Sequence, residues 1–299
     1  NIPAYWTYQT MLKNGQSVKP YMSMMGYQVD NYQIESLPLG GGIDPSVVQH
    51  TNGYQALLNG GQYEQYYVVD SIKDSNGKEI YKHQSQPVQV FSKATSSIMA
   101  ELLKGPIKSQ KTTTFYGQLS NLNPTLAGAD WVGKTGTSND FVDVWLMVGT
   151  PTVTLSSWVG HDNNTPMAAM TGYNNNSQYL AQMANSIYQA NPGVFGVEQR
   201  FSLDPSVTKS TVLVSTGEKP GAFTGGSYTN FTLSGPTTTS YWAKPEGAPT
   251  TQYKFAIGGS DSDYANAWTK ILGNNSGNNS GNNSSNNNDD ADKKKQSGN

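Results

Sequence analysis

Residues 133–140 read Gly-Lys-Thr-Gly-Thr-Ser-Asn-Asp, and they decide how the rest of the chain is interpreted. In an extended strand, side chains alternate between the two faces of the sheet, which puts Thr135 and Thr137 on one face. Lys134 and Gly136 then share the opposite face. Because Gly136 has no Cβ, a second backbone or a ligand can approach the strand closely there. The stretch predicts a strand edge that presents paired hydroxyls and an ammonium group.

Such an edge suits a peptide-like ligand that ends in a carboxylate. The main-chain groups of the strand can pair with the amides of the ligand, as they do in strand addition. The ammonium group of Lys134 and the hydroxyls of Thr135 and Thr137 can then bind the carboxylate.

A rival pattern covers the same residues. Residues 128–135 satisfy the phosphate-loop formula G-x-x-x-x-G-K-[ST], which requires a buried strand before it and a helix that begins at the Lys-Thr pair. Residues 120–125 read as a loop instead, and residues 138–140 form a turn. Residues 141–149 are rich in β-branched and aromatic side chains, which favour a strand. The context is strand, turn and strand, and we reject the phosphate loop.

Residues 134–138, Lys-Thr-Gly-Thr-Ser, resemble the K-T-G motif of penicillin-binding proteins and serine β-lactamases. Residues 143–151 and 157–162 resemble the next two strands of the class A (bifunctional) penicillin-binding proteins. Earlier in the chain, Leu-Gly-Gly and Asp-Pro within residues 39–45, and Asn-Gly-Gly at residues 59–61, resemble that family's loop, helix and turn in the same order. The resemblance covers about two thirds of the chain.

This resemblance implies a fold and an activity. The fold is α+β, with an antiparallel sheet flanked by helices as in the transpeptidases and serine β-lactamases. The activity is that of a serine-type D,D-transpeptidase, which cross-links peptidoglycan stem peptides through an acyl-enzyme and is the target of β-lactams. By the same resemblance the parent protein is also a glycosyltransferase. It would work on the extracytoplasmic side of the bacterial cell membrane, with its anchor outside this sequence.

The resemblance also assigns site residues. Asn1 would be the asparagine of the family's S-x-N motif, which contacts the substrate amide and the catalytic lysine. The backbone N–H of Thr137 would form half of the oxyanion hole, and Asn139 would line the rim of the site. Lys134 would bind the carboxylate of a D-Ala-D-Ala stem peptide or of a β-lactam. The predicted catalytic set is Asn1, Lys134 and Thr137, and the predicted substrate-binding set is Thr135, Gly136, Thr137, Ser138 and Asn139.

The family's nucleophile lies in an S-x-x-K motif, whose spacing requires a helix because only there do positions three apart share a face. Residues 75–78 fit the formula but lie in a predicted hairpin turn. Residues 206–209 also fit, but they come after the K-T-G motif, whereas the family places its nucleophile before the S-x-N asparagine. We therefore expect the nucleophile outside these 299 residues, in an N-terminal segment that would be the chain's partner in catalysis.

Two other functions are compatible with the same residues. The first is a hydrolase of the same fold, either a D,D-carboxypeptidase or a β-lactamase, which passes the acyl group to water. The second is a non-catalytic module that binds cell-wall peptides or β-lactams through the K-T-G edge. An S-x-x-K helix upstream, followed by a serine two residues before Asn1, would select an enzyme over the binding module.

The composition excludes several other classes. The chain has no cysteine and a net charge of −2, which argues against a disulfide scaffold, a thiolate metal site and a nucleic-acid partner. Its three histidines lack metal-ligand spacing, and we expect no metal and no cofactor. No apolar run is long enough to cross a bilayer, and there is no signal peptide. Because the sequence starts with Asn, we interpret it as a fragment or a processed product.

The local patterns predict the following elements. Helices are expected at residues 3–14, 18–25, 92–103 and 178–189, with Gly105-Pro106 ending the one at 92–103. A further helix should have Asp44 as N-cap and Pro45 in its first turn, and should bury Val47, Val48, Tyr54, Leu57 and Leu58. A hairpin is expected around the turn at residues 74–77, a loop at 108–130, and strands at 131–137, 143–149 and 152–160.

We predict three segments. Residues 1–204 form the C-terminal portion of a penicillin-binding transpeptidase domain. Residues 205–272 form a small β-rich domain, with strands at 211–215, 227–233, 238–243 and 253–257 and a helix at 263–272. Residues 273–299 are a tail rich in Asn, Ser and Gly, which should stay disordered because it has almost nothing apolar to bury.

Overall fold

Helices and strands both contribute to the fold. The computed structural model describes residues 1–108, 113–220, 222–223, 231–232 and 235–250. The α-helices of these residues are α1 (Ile2–Lys13), α2 (Lys19–Met24), α3 (Val47–Leu58), α4 (Lys93–Lys108), α5 (Phe115–Leu122), α6 (Pro124–Ala127) and α7 (Thr171–Ala190).

The strands are short and pair antiparallel throughout the described residues. They are β1 (Gln62–Tyr63), β2 (Ser71–Lys73), β3 (Glu79–Lys82), β4 (Val88–Gln89), β5 (Val132–Thr137), β6 (Asp143–Gly149), β7 (Thr154–Gly160), β8 (Thr208–Leu213), β9 (Ala222–Phe223), β10 (Phe231–Thr232) and β11 (Thr237–Trp242). Strands β5, β6 and β7 form a three-stranded sheet in that order. The other pairs are β1 with β4, β2 with β3, β8 with β11, and β9 with β10.

One face of the three-stranded sheet carries the main hydrophobic core. Leu146 and Val148 of β6 point into it and meet Leu180 of α7. Trp131, which precedes β5, is 1% exposed and lies 5.2 Å from Phe115 between ring centroids. Burying an aliphatic or aromatic side chain of this size contributes about 1.5–3 kcal/mol. This core holds α5 and α7 against the sheet.

Helix α3 covers the opposite face. Alternation along β6 turns Trp145 and Met147 away from the core that contains Leu146 and Val148. On that side, the hydroxyl of Thr51 on α3 hydrogen-bonds the hydroxyl of Ser156 on β7. The sheet therefore has helices on both faces, which agrees with the predicted α+β fold class.

An ion-pair cluster anchors the chain just before β5. The carboxylate of Asp130 is 7% exposed and accepts a hydrogen bond from the backbone N–H of Phe201 at 2.9 Å. The ammonium group of Lys104 on α4 lies 3.3 Å from that carboxylate and 2.8 Å from Glu101. Burial lowers the pKa of Lys104, but its hydrogen bonds and attraction to Glu101 and Asp130 outweigh this and leave the pKa raised. The cluster joins α4 to the start of β5.

Several predicted elements are confirmed. Strands β5, β6 and β7 lie where the sequence predicts them, as do α1 and α2. The hairpin of β2 and β3 closes through Asp74, whose carboxylate accepts the backbone N–H groups of Asn76 and Lys78, both at 2.9 Å. Lys134 lies in a strand and starts no helix, which confirms the rejection of the phosphate loop.

The prediction for the start of α3 is wrong. The N-cap is Ser46, whose Oγ accepts the backbone N–H of Gln49 at 3.2 Å, so Asp44 and Pro45 precede the helix. Val47 and Val48 lie in the first turn of the helix and are 39% and 43% exposed, not buried as predicted. Gly53 and Ala56 are the buried residues of α3, and Tyr54, Leu57 and Leu58 are partly buried.

Helix α4 does not end at Gly105-Pro106 as predicted. It continues to Lys108 with Pro106 inside it, although an interior proline costs about 3 kcal/mol. The last turn carries Ile107, which is 1% exposed within the main core, and this packing helps to offset the cost of the proline.

The predicted loop at 108–130 is also wrong, since it contains α5 and α6. Asn123 caps α6 by accepting the backbone N–H of Leu126 at 3.0 Å. Phe115, Leu119 and Leu126 are fully buried, so tertiary packing stabilises two helices too short to show a clear period in the sequence.

Helix α7 begins at Thr171 instead of Gln178, because a polar network stabilises its first turns. The amide of Asn176 is 1% exposed. Its Nδ2 donates to the carbonyl of Val144 at 2.8 Å and to that of Ser157 at 3.3 Å. Its Oδ1 accepts a hydrogen bond from the hydroxyl of Ser157. Asn176 thus ties α7 to both β6 and β7.

Beyond residue 204, β8 and β11 form an antiparallel ribbon in which Val212 lies opposite Thr238. Ser97 of α4 accepts the backbone N–H of Asp204 at 3.0 Å. The strands predicted at 211–215 and 238–243 overlap β8 and β11, and β10 lies within the one predicted at 227–233. The strand predicted at 253–257, the helix at 263–272 and the tail lie outside the described residues. The domain boundaries at 204 and 272 stay predictions.

We predict that Asn176→Ala lowers the free energy of unfolding by about 1–3 kcal/mol, because it leaves buried partners such as the carbonyl of Val144 without a donor. Urea unfolding followed by circular dichroism measures the change. Asn174→Ala, an exposed residue of the same helix, is the control. Equal stability of the two variants would contradict the role given to the buried amide.

Candidate active site

One edge of β5 is open. The backbone N–H of Ser138 donates to the carbonyl of Asp143 at 3.0 Å, so the amide of Ser138 faces β6. In an antiparallel ladder, amides that face the partner strand alternate with amides that face away. The N–H and C=O groups of Thr137 and Thr135 therefore point away from β6. No other strand among the described residues pairs with β5.

The ammonium group of Lys134 lies at this open edge. Its Nζ donates to the carbonyl oxygen of Thr135 at 2.9 Å, and that carbonyl faces outward. Lys134 is exposed, and the described residues hold no carboxylate within ion-pair distance of it. A cation thus lies beside unpaired backbone groups, an arrangement that can bind the carboxylate end of a peptide.

Helix α4 limits the length of the open edge. A Cβ placed on Gly133 would lie 3.0 Å from Cδ1 of Ile107 and 2.3 Å from the carbonyl oxygen of Met147. Val132 and Gly133 are both buried, whereas the strand becomes accessible from Lys134 onward. The accessible part of the edge is therefore residues 134–137.

The two threonines share the face that α7 covers, because they lie opposite Leu146 and Val144. Thr135 is half-buried and Thr137 is exposed. Neither hydroxyl has a hydrogen-bond partner within the described part of the chain, so both can donate to a ligand. This agrees with the alternation predicted from the sequence.

Gly136 faces the opposite side, where it meets Trp145 directly across the strand pair. A Cβ on Gly136 would lie 3.3 Å from Cβ of Trp145. The close approach that the glycine permits is therefore made by the neighbouring strand.

Ser138 and Asn139 lie in the turn that joins β5 to β6. The hydroxyl of Ser138 accepts the backbone N–H of Asp143 at 2.7 Å, which closes the turn. Asn139 is exposed and opens a single 3₁₀ turn, within which Asp140 and Phe141 both have φ of 57°. Left-handed conformations at residues other than glycine are strained and cluster at functional sites.

No hydrogen bond in the described part of the chain connects Asn1 to this edge. It is exposed and serves as N-cap of α1 without a side-chain hydrogen bond. Its carbonyl accepts the backbone N–H of Tyr5 at 3.0 Å. The role assigned to Asn1 by resemblance stays a prediction.

Neither S-x-x-K match lies on a helix. Ser75 is in the turn between β2 and β3, where Gly77 has φ of 78°. Ser206 donates to the carboxylate of Asp204 at 2.5 Å in a turn, and β8 begins at Thr208. Serine and lysine therefore do not share a helical face in either match, as the sequence predicts.

The sequence did not predict a group of three rings, those of Tyr27, His50 and Trp145, which ends at β6 beside the site strand. Nδ1 of His50 on α3 lies 2.8 Å from the hydroxyl of Tyr27. The His50 ring meets Trp145 edge to face, with centroids 5.3 Å apart at 81°. Burial lowers the pKa of His50, and burial together with Tyr63 raises the pKa of Tyr27 to about 12. No spacing signal could have found this group, since its members are far apart in the sequence.

This chain matches a known protein family over most of its described length. The penicillin binding protein transpeptidase domain family matches residues 8–191. Because this match covers more than half of the chain, the chain belongs to that family. The resemblance to class A penicillin-binding proteins is confirmed, and the match lies in their transpeptidase region.

Individual relatives agree with this assignment. Penicillin-binding protein 4 of Bacillus subtilis is 32% identical over 140 residues, which are 46% of this chain and 21% of that protein. Penicillin-binding protein 1F of the same organism is 28% identical over 167 residues, with 54% and 22% covered. Penicillin-binding protein 1A of Rickettsia prowazekii is 27% identical over 169 residues, with 52% and 22% covered. The chain spans about a fifth of the length of these relatives.

A solved structure shares the fold. The crystal structure of penicillin-binding protein 1A from Haemophilus influenzae superposes with a TM-score of 0.62 at 16% identity, covering 85% of this chain and 40% of that one. Its fold supports the α+β assignment, with helices on an antiparallel sheet. Within the described residues, no helix combines the length and hydropathy needed to cross a membrane.

We predict that acidification destabilises the protein partly through His50. The folded-state pKa of His50 lies below the unfolded value of about 6.5. At pH values between these two pKa values, the unfolded state therefore binds more protons than the folded state. The contribution of neutral His50 is complete above the unfolded pKa and is lost as the pH falls through the folded pKa. In His50→Gln, the free energy of unfolding should therefore fall less between pH 7.5 and pH 5, as measured by urea unfolding.

His161→Gln is the control for this measurement, because His161 is an exposed ring whose Nδ1 lies 2.8 Å from the carbonyl oxygen of Thr165 in its own loop. Carboxylates such as Glu64, whose pKa is lowered by hydrogen bonds from His83 and Ser85, lose stabilisation equally in all variants. If His50→Gln and wild type lose the same stability on acidification, His50 does not titrate as described.

Proposed function

We propose that this chain supplies the substrate-carboxylate side of a serine D,D-transpeptidase site that cross-links peptidoglycan stem peptides. The observation that carries the proposal is the ammonium group of Lys134 at the open edge of β5, beside the outward amides of Thr135 and Thr137. Membership of the transpeptidase family supports the same reaction class.

The stem peptide ends in D-Ala-D-Ala, whose terminal carboxylate would bind the ammonium group of Lys134. The hydroxyls of Thr135 and Thr137 would donate to the same carboxylate, which forms stronger hydrogen bonds than a neutral acceptor. The peptide would lie along residues 134–137 and pair its amides with the outward backbone groups, as an added strand does. A β-lactam carries a carboxylate in a similar position and would occupy the same edge.

The outward N–H of Thr137 would be one donor of the oxyanion hole. Removal of one such donor costs about 2.7–4 kcal/mol of transition-state stabilisation in other acyl-transfer enzymes. Gly136 would keep the strand close to Trp145, Ser138 would hold the turn in place, and Asn139 would line the rim of the site.

The nucleophile would come from a segment outside these residues, as an S-x-x-K helix. Both S-x-x-K matches within the chain lie outside helices, which supports this division of the site. Asn1 would then belong to the S-x-N motif next to that segment. The parent protein would also be a glycosyltransferase, on the extracytoplasmic side of the bacterial cell membrane.

A binding module is the second candidate function. The described residues hold an open strand edge with a cation, but none of their helices carries an S-x-x-K pair. By itself the chain would therefore bind cell-wall peptides or β-lactams without turnover. A D,D-carboxypeptidase or β-lactamase would use the same edge and differ in the acceptor of the acyl group.

We predict that Lys134→Met weakens binding of an N-acylated D-Ala-D-Ala peptide at least about tenfold, because a hydrogen bond to a charged group contributes about 1.5–3 kcal/mol. Titration of the ¹⁵N-labelled chain with the peptide measures the affinity. Lys78→Met, in the exposed turn between β2 and β3, is the control. Unchanged affinity in the Lys134 variant would contradict the carboxylate site.

A second prediction concerns covalent chemistry. A fluorescent penicillin should label a longer form of the protein that includes the preceding S-x-x-K helix. It should leave the 299-residue chain unlabelled, because no helix of the described residues carries the S-x-x-K pair that would activate a serine. Stable labelling of the chain itself, localised to a serine by mass spectrometry, would show that the nucleophile has been placed wrongly.

A further inference from the structure

Three aromatic rings from separate parts of the chain form a continuous row behind β5. Tyr27 follows α2, His50 lies on α3 and Trp145 lies on β6. The Tyr27 and His50 centroids are 6.0 Å apart at 83°, and those of His50 and Trp145 are 5.3 Å apart at 81°. The row ends at the strand pair that carries the candidate site.

The end of the row at Trp145 touches the site strand. Gly136 lies directly opposite Trp145 in the register of β5 and β6. Because Gly136 has no side chain, Cβ of Trp145 comes within 3.3 Å of the position that a Cβ would occupy. Gly136 lies between Thr135 and Thr137, whose outward amides form the candidate site. Cγ and Cδ1 of the Trp145 ring lie 3.9 Å from the same Cβ position, so a displacement of that ring would change the packing against Gly136.

The other end of the row, Tyr27, is buried against α3. Tyr27 is 7% exposed. A Cβ on Gly53 of α3 would lie 2.3 Å from the Tyr27 hydroxyl oxygen, so the phenol lies against the α3 backbone. The same hydroxyl makes the 2.8 Å hydrogen bond to Nδ1 of His50. Tyr27 thus fixes the orientation of the imidazole of His50, which lies one helical turn before Gly53 on α3.

We propose that His50 is a positioning residue for the substrate-binding edge, which it supports by holding the Trp145 side chain against Gly136. The proposal rests on the function proposed above for residues 134–137. His50 does not touch the substrate in this account. Its effect passes through Trp145, and the hydrogen bond between Tyr27 and His50 keeps the imidazole in the required orientation.

The test uses the complete chain labelled with fluorotryptophan and ¹⁵N. Three variants separate the contacts: His50→Ala removes the ring and the hydrogen bond, His50→Asn keeps a polar group near Nδ1, and Tyr27→Phe removes only the hydroxyl. The Trp145 ¹⁹F signal is assigned with Trp145→Phe, and the Gly136 amide signal reports on the strand. An N-acylated D-Ala-D-Ala peptide is the ligand.

We expect His50→Ala to shift the Trp145 and Gly136 signals and to weaken peptide binding about 2- to 30-fold, the range found for substitutions that act through a neighbour. Tyr27→Phe should change both in the same direction by less. His50→Asn should restore part of the affinity. Tyr27→Phe also keeps the test decisive if His50→Ala does not fold.

Thr51→Val is the matched control. Thr51 is the next residue of α3 and binds Ser156 of β7, so its loss disturbs the packing of the same helix without touching the row of rings. If the His50 variants shift the Trp145 and Gly136 signals no more than Thr51→Val does, the proposal is overturned. If wild type binds no peptide, the proposed function is wrong. If the Trp145 and Gly136 signals still shift in the His50 variants in that case, the contact by which His50 positions Trp145 against Gly136 is nevertheless supported.

Discussion

The pairing of β5 on one side only is the constraint on which the site depends. A strand inside a sheet uses its backbone groups on both edges, whereas no strand in the described part of the chain pairs with the outward groups of Thr135 and Thr137. Exposed strand edges attract other strands, and charged side chains such as lysine discourage unwanted pairing. Lys134 lies where it can do this and can also select a ligand with a carboxylate. The same edge therefore combines backbone pairing with charge recognition.

The rest of the fold fixes the position of this strand edge through packing and hydrogen bonds. The main core of α5 and α7 packs against one face of β6, and α3 packs against the other. Asn176 satisfies backbone carbonyls of β6 and β7 inside the molecule. Sites on rigid elements place their donors more accurately than sites on loops. The hydrogen-bond donors of β5 are thus oriented before any ligand binds, which is what stabilisation of a developing oxyanion requires.

The sheet and the K-T-G edge could be predicted from the sequence because their signals are local. Alternation along residues 134–137 and the β-branched residues of β6 are sufficient to predict strands, and the order of the landmarks indicates the family. Helices α5 and α6 could not be predicted, since packing of Phe115 and Leu126 stabilises them in place of a clear period. Pro106 led to the wrong end for α4 because the sequence does not show the tertiary packing of Ile107, whose burial helps to keep this last turn helical. The row of Tyr27, His50 and Trp145 depends on contacts between distant residues.

The turn between β5 and β6 has a consequence for how this protein can vary. The hydrogen bonds between Ser138 and Asp143 fix the number of residues in the turn, and they help to determine whether an even or an odd position of β5 faces outward. An insertion of a single residue that shifts the pairing of β5 by one position would reverse that parity and exchange the two faces of the strand. The ammonium group would then lie where the hydroxyls are now, and the amide of Thr137 would turn inward. Length changes that shift the pairing should therefore be tolerated only in pairs of residues.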